Sequence, residues 1–489
     1  MFMGDMPELM EIILNNLNNE YYSSYSCALV SRHWCKISIP FLWQNPFSFC
    51  QNPLFISQYF SSLDENEKLV LNECGINVKF PETLFNYAKF LKVLDLSSLE
   101  AMVRKWIDSQ LASSKLHKSI DLTNLLFNLF VESGATLHKL DLYFYKEINS
   151  EIFYSLVRNE QFFSQLQDLS LHGISGYDTE SVTVLFEILE DNITKINVLK
   201  LELCSDYKPQ ILHAVERIIK SQEQLRQFGL IGIEDNLTEF HGIISSSECQ
   251  NKSLYEVIIE RCTCDMEFKV LMNCKNLGIL RIHSCDNLYI LEASLNTLEI
   301  TCYPIYASSI VPILKKSGTL LQRLSLVSRY KPTREQSVLF ETLKSFCPNI
   351  IYLNLANVEF STQFLGLIGN LQILQFLTLC DFYEILENEP KILVMQFAKL
   401  LPLTLQYLDI RNSCLRSYID ILFSNCYAPL KYLLIDHIDD EKGAKGLIEF
   451  CIRRTLNYVG VSIDLDDNIK KDVEKYVTLV PCEQIAISC

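Results

Sequence analysis

The sequence predicts an α/β fold: a curved parallel sheet with helices outside, stacked as a solenoid and preceded by a small helical module. Three observations carry this prediction. The pattern L-x-x-L-x-L recurs along most of the chain. The stretches between its copies carry apolar residues at helical spacing. The first 47 residues have a different texture and lack the pattern.

The pattern reads FLKVLDLS (90–97), TLHKLDLY (136–143), QLQDLSLH (165–172), KINVLKLE (195–202) and QLRQFGLI (224–231). It continues as SLYEVIIE (253–260), NLGILRIH (276–283), SLNTLEIT (294–301), LLQRLSLV (320–327) and NIIYLNLA (349–356). The last four of fourteen copies are ILQFLTLC (373–380), TLQYLDIR (404–411), PLKYLLID (429–436) and TLNYVGVS (455–462). Most intervals fall in the ~20–29 residue period of leucine-rich repeats. NEKLVLNEC (66–74) reads as a degenerate first copy, and KLHKSIDL (115–122) as another inside the widest gap.

Spacing explains each unit. In Leu166-x-x-Leu169-x-Leu171 the last two leucines share one face of a strand, because strand side chains alternate with period two. TESVTVLFEILEDN (179–192), KPQILHAVERIIKSQEQL (208–225) and REQSVLFETLKSF (334–346) place apolar residues at i, i+3 and i+4, which predicts helices. One strand and one helix cannot bury their apolar faces alone; stacked neighbours do so.

The N-terminal stretch predicts three short helices. Asp5, Pro7 and Glu8 form a helix start, and Leu9, Ile12, Ile13 and Leu17 follow on one face. Tyr22, Tyr25 and Leu29 suggest a second helix, and Trp34 and Ile37 a third that Pro40 ends. These helices are too small to bury so many apolar residues among themselves. Some must pack on the repeats or on another protein.

Composition bounds the function. Net charge is −16 with no basic cluster, which argues against a nucleic-acid or anionic-membrane surface. The start, MFMGDMPELMEIIL, lacks the features of a signal peptide, and no apolar run approaches the ~18 residues of a membrane span. The 18 cysteines therefore read as reduced thiols of a cytoplasmic or nuclear protein. Cys74, Cys204, Cys262 and Cys285 fall on the ninth position of the repeat, where Asn or Cys is usual. Cys262 and Cys264, with Cys249, Cys274 and Cys285 nearby, contain no paired C-x-x-C, so buried repeat cysteines are expected rather than a metal site. No phosphate loop, zinc-protease motif, nucleophile elbow or dinucleotide fingerprint occurs, so neither a cofactor nor catalysis is expected.

Candidate contact residues follow from the strand period. With positions 4 and 6 inside, positions 3, 5 and 7 face the concave surface. Position 3 reads Arg323 and then Tyr352, Phe376, Tyr407, Tyr432 and Tyr458 down the last repeats, with Arg411 at position 7. Strands lie about 4.8 Å apart, so these rings would form a continuous row. The row is open to three readings: a partner-binding surface, rings stacked for their own sake, or a surface covered by the tail 481–489. Lys139, Lys200, Glu202, Glu260 and Arg281 read as a solvated face. His172 and His283 read as surface residues with no partner acid at recognisable spacing.

Residues 5–47 resemble an F-box, through MPELMEIILNNL, then ALVSRHW, then FLW. With the repeats of 48–489 behind that module of 1–47, the chain resembles an F-box/leucine-rich-repeat protein. The resemblance implies that the module docks on the Skp adaptor, and through it the cullin, of an SCF ubiquitin ligase while the repeats hold a protein substrate. It implies that Pro7, Ile13, Leu17, Leu29, Val30 and Trp34 face the adaptor or shape that surface, and that Trp43 locks the module onto the first repeats. The competing expectation is a leucine-rich-repeat scaffold whose first helices are only a cap, since solenoid ends need capping.

Overall fold

Each of the fourteen L-x-x-L-x-L segments contains a β-strand, and within each of the two units described below neighbouring strands pair in parallel. The computed structural model describes residues 7–17, 21–49, 52–76, 80, 82–110, 116–144, 159–175, 179–206, 208–233, 242–263, 266–285, 293–329, 333–380, 389–436, 441–454, 456–461 and 467–487. It divides into two units, Met1–Ile233 and Glu234–Cys489.

The first unit opens with α1 (Pro7–Asn16), α2 (Tyr21–Ala28) and α3 (Arg32–Leu42). Its strands are β1 (Val93–Asp95), β2 (Lys139–Tyr143), β3 (Asp168–Ile174), β4 (Val198–Leu203) and β5 (Gln227–Gly232). The same template position pairs from strand to strand: Val93 with Lys139, Lys139 with Asp168, Asp168 with Val198, Val198 with Gln227. Leu140, Leu169 and Leu199 therefore stack inside, each at most 1% exposed.

The second unit holds β6 (Glu256–Glu260), β7 (Ile279–His283), β8 (Thr297–Cys302), β9 (Arg323–Ser328) and β10 (Tyr352–Ala356). It continues with β11 (Phe376–Cys380), β12 (Tyr407–Asp409), β13 (Tyr432–Ile435), β14 (Tyr458–Val461) and β15 (Thr478–Pro481). Both units are thus leucine-rich-repeat solenoid: parallel strands in matched register, each returned by a helical segment. The predicted helices appear as Thr179–Asn192, Pro209–Ser221 and Gln336–Phe346. The short interval between β6 and β7 has room only for 3-10 turns, Met266–Asn273.

Four expectations need correction. Residues 66–74 are not a strand but the helix Glu65–Glu73. Asp64 caps it, accepting from the Glu67 amide while Glu67 accepts from the Asp64 amide, and this reciprocal box fixes a helix start. Cys74 is consequently the residue that ends a helix rather than a ninth repeat position. Residues 116–122 are not a repeat strand but the start of the helix Leu116–Glu132, because Leu122, Leu126 and Phe130 continue the apolar spacing at helical period and are all fully buried.

Pro40 does not end the third helix; α3 continues to Leu42. The proline removes one amide donor, and only two helical residues follow it, so little hydrogen bonding is lost. Lastly, β15 was not expected. It lacks the leading leucine of the template, and its Pro481 is tolerated because it stands at the strand's end.

Candidate functional site

The three N-terminal helices form a small bundle of their own. Ser31 caps α3, its side-chain oxygen accepting from the Trp34 amide at 3.2 Å. Met10 and Leu14, one turn apart on α1, are buried at 1% and 0% exposure. The rest of the apolar surface does not go inside. Leu9 and Ile12 of α1 are exposed, as are Tyr22 and Tyr25 of α2. Leu29 and Val30, in the turn between α2 and α3, are 69% and 66% exposed. Tyr22 and Tyr25, at i and i+3 on α2, thus turn apolar side chains outward, and Leu29 follows just past the helix end.

Among the residues the sequence assigned to an adaptor surface, Leu29 and Val30 lie open, while Ile13, Leu17 and Trp34 are half-buried. Pro7 is the first residue of α1, and its side chain lies outside the described residues. The sequence reading omitted Tyr22, which is the most exposed of these large side chains at 84%.

The other end of this bundle is fastened. Trp43 meets Tyr87 at a ring separation of 4.1 Å and Tyr59 edge-on at 5.2 Å. Beside it, the Gln44 carbonyl accepts from the amides of Lys92 and Val93 at 2.9 and 3.0 Å. The Lys92 carbonyl does the same for His138 and Lys139 one repeat later. Gln44 therefore supplies the rung that a preceding repeat would supply, and residues 43–44 cap the first strand.

On the second unit the position-3 residues pair in unbroken register from Arg323 through Tyr352, Phe376, Tyr407 and Tyr432 to Tyr458. The Arg323 guanidinium lies 4.6 Å from the Tyr352 ring centre. Tyr352 and Phe376 are 6.5 Å apart, Phe376 and Tyr407 6.1 Å, and Tyr432 stacks on Tyr458 at 5.8 Å.

The row is not an open surface; of the three readings the sequence leaves open, the geometry matches a row covered by the tail. Tyr352 is 1% exposed and Tyr407 fully buried. Residues 482–487 lie over the row: Cys482 joins Tyr407 and Leu434 in one apolar cluster, with Ile485, Ile487, Phe376 and Tyr432 packed against it. The main chain of Ile487 is held from two sides. Its amide donates to the Tyr407 hydroxyl and its carbonyl accepts from the Tyr352 hydroxyl, both at 3.3 Å. Gly460 makes this approach possible. A Cβ there would stand 3.1 Å from the Ile485 side chain and 3.2 Å from the Cys482 Cα. Burial pushes the Tyr407 phenol far above its ordinary range, and the nearby Asp409 adds to this.

Arg411 is likewise committed. Its guanidinium donates twice to the Asp409 carboxylate, at 2.9 and 2.8 Å, and that bond raises the arginine's already high pKa further. Only Tyr458, at the end of the row, remains substantially exposed, at 38%.

Within each unit, charged residues of adjacent strands pair with one another. His172 Nδ1 lies 2.8 Å from Glu202, and its ring stacks on Tyr143 at 4.4 Å. Arg281 donates to Glu256 at 3.0 Å and also to Glu299, which lies 3.4 Å from His283 as well. Burial by itself would raise the Glu299 pKa, but the bonds from His283 and Arg281 outweigh it and hold the group below the usual carboxylate range. Both histidines thus have acid partners. These partners stand on the adjacent strand, at a distance along the chain that local spacing does not reveal.

The repeat cysteines form internal contacts. The Cys262 amide donates to the Cys285 sulfur at 3.4 Å, and the Cys285 thiol faces the Ile259 carbonyl. Cys302 is buried, and burial pushes its thiol up to about 12. Cys264 lies outside the described residues. Among the described residues no three His, Cys, Asp or Glu side chains gather as metal ligands, and no helix is long and apolar enough to cross a membrane.

No protein-family model matches the chain, and no curated protein matches it. Solved structures that resemble it include the yeast Rad7–Elc1 complex, at 16% identity over 80% of this chain and 98% of that chain, with a TM-score of 0.41. A leucine-rich-repeat protein of Leptospira interrogans shares 13% identity over 80% and 99% of the two chains, with a TM-score of 0.28. A Bacteroides fragilis protein shares 12% identity over 58% and 74%, with a TM-score of 0.30.

Proposed function

We propose that this chain is the substrate-recognition subunit of an SCF ubiquitin ligase. In this reading α1–α3 dock on the Skp adaptor and through it on the cullin, and the repeats hold a protein substrate in the cytoplasm or nucleus. The chain performs no chemistry; it holds substrate near the ubiquitin-charged enzyme and so raises its effective concentration.

One observation carries the reading. Leu9, Ile12, Tyr22, Tyr25, Leu29 and Val30 keep 37–84% of their surface exposed on and beside the first helices. Such a concentration of large apolar side chains marks a partner site, and rigid aromatic and aliphatic anchors at interfaces each contribute ~2 kcal/mol or more.

Co-expression with the Skp adaptor and cullin tests it. The wild-type chain should retain both on affinity purification. Leu29→Asp should abolish retention without lowering the melting temperature, because that side chain is outside the core. Trp34→Ala should weaken retention too. Undiminished retention by both variants would remove the reading.

A second reading, a leucine-rich-repeat scaffold capped by its first helices, draws on the Gln44 rung and the Trp43 packing. Those contacts need residues 43–44 and leave the outward side chains of α2 without a role. Absence of adaptor from the purified complex, with the Leu29→Asp variant behaving as wild type, would favour it.

A further inference from the structure

We infer that the row Tyr352–Tyr458 is a peptide-binding groove for segments with two aliphatic side chains two residues apart, occupied at rest by the chain's own residues 483–487. This rests on the reading of the repeats as a substrate-binding surface and deepens it.

The contacts are of a transferable kind. The Tyr352 hydroxyl donates to the Ile487 carbonyl and the Tyr407 hydroxyl accepts from the Ile487 amide, so any residue but proline could take its place at the amide. Selectivity comes from apolar packing, where Ile485 and Ile487, like Phe376 and Tyr432, pack against the cluster of Tyr407, Leu434 and Cys482. Phe376, Tyr407 and Tyr432 are aromatic rings of the type favoured at interfaces, lined up at one residue per strand. Main-chain bonds for affinity and alternate side chains for specificity are how extended peptides are recognised on sheets. The resident segment, a 3-10 turn at Cys482–Gln484 followed by Ile485 and Ile487, defines the ligand class: a short apolar peptide bearing Ile-x-Ile or a similar aliphatic pair.

The resident segment is held by apolar packing and side-chain bonds, and it is not part of a strand. It follows β15, and the Tyr352 and Tyr407 hydroxyls bond the main chain of Ile487. A substrate peptide would need only to displace these side-chain and main-chain contacts, leaving β14 and β15 paired.

The test uses a fluorescein-labelled peptide of residues 483–489, read by fluorescence anisotropy, against the full chain and a chain ending at Cys482. The shortened chain should bind saturably. The full chain should bind at least about tenfold more weakly, because an apparent affinity falls with the fraction of open sites. Leucine in place of either isoleucine of the peptide should preserve binding, and aspartate at either should abolish it.

Equal binding by the two chains, equal binding of the aspartate peptide, or no binding by a shortened chain that melts like wild type would each overturn the inference. Should the shortened chain not fold, full-length Ile485→Asp/Ile487→Asp replaces it; if neither folds, the segment is structural and the inference fails. Adaptor purification on the same proteins separates the two proposals. Adaptor retained without peptide binding sinks this inference alone, whereas peptide bound without adaptor sinks the ligase reading alone.

Discussion

Two regions of the chain are rich in exposed-type apolar sequence, and they end up differently. The first helices and the turn after α2 carry Leu9, Ile12, Tyr22, Tyr25, Leu29 and Val30 with much of their apolar surface exposed. The C-terminal strands carry Tyr352, Phe376, Tyr407 and Tyr432 on the sheet face, and residues 482–487 cover them. Both regions look alike in composition. What distinguishes them is whether the chain brings back a segment of its own. An uncovered apolar surface points to a separate partner, and a covered one points to a contact that partner and self can compete for.

The largest expected effect lies beneath the covered row. Leu408, fully buried on β12, anchors the strand that bears Tyr407. Leu408→Ala should lower stability by ~2–5 kcal/mol, the usual range for a buried leucine, read as a shift in urea midpoint. A loss as small as that of a surface substitution would mean that the covered row is not backed by a rigid strand.

Alkaline pH is the next lever. Burial raises the thiols of Cys302 to about 12 and of Cys347 and Cys426 to about 11, from an ordinary 9.0. A thiol raised on folding stays protonated in the native chain while the unfolded chain ionises. The stabilisation is therefore full below pH ~9 and is lost as pH rises towards the folded values. Urea midpoints should fall between pH 8.5 and 10.5, about the unperturbed thiol pKa, and Cys302→Ala should flatten that slope. A slope unchanged by the substitution would remove Cys302 from this account.

Gly460→Ala addresses the covering segment directly. The new methyl meets Ile485, Leu434 and Cys482 at 3.1–3.2 Å, so the segment or its neighbours must shift. A cost of ~1–3 kcal/mol is expected from such overpacking, with hydrogen exchange rising at residues 483–487 first. Protection that stays unchanged there would show that the segment does not depend on close approach to β14.

Tyr352→Phe should have a smaller effect, roughly 0.5–1.5 kcal/mol for one lost hydrogen bond, confined to local exchange near Ile487. Smallest of all, Leu29→Asp should change the stability of the free chain by no more than about 0.5 kcal/mol. A large destabilisation would mean that the first helices use that surface internally, and the contrast between the two regions would disappear.

Much of the solenoid was legible in the sequence. The L-x-x-L-x-L spacing placed fourteen strands and the leucines inside them, and three helices appeared at or close to their expected bounds. Misreadings arose where a local pattern fitted two structures. NEKLVLNEC matches a degenerate repeat, yet the Asp64–Glu67 capping box makes it a helix. In the candidate site, the exposure of Leu29 and Val30 was foreseen as an adaptor surface, whereas Ile13, Leu17 and Trp34 are partly enclosed by their own bundle. The aromatic row was legible residue by residue, including the possibility of a covering tail, but nothing local chose among its three readings.

The amino-acid order alone determined the strand period, the stacked leucines and the register that aligns Tyr352, Phe376, Tyr407, Tyr432 and Tyr458. These follow from the two-residue alternation of a strand, which is local. Tertiary structure alone decided that residues 482–487 lie on that row, that Gln44 takes the place of a missing repeat, and that His172 meets Glu202. Each of these joins residues far apart along the chain. Such contacts are selected by burial and hydrogen-bond satisfaction in the folded molecule, and no short-range pattern records them.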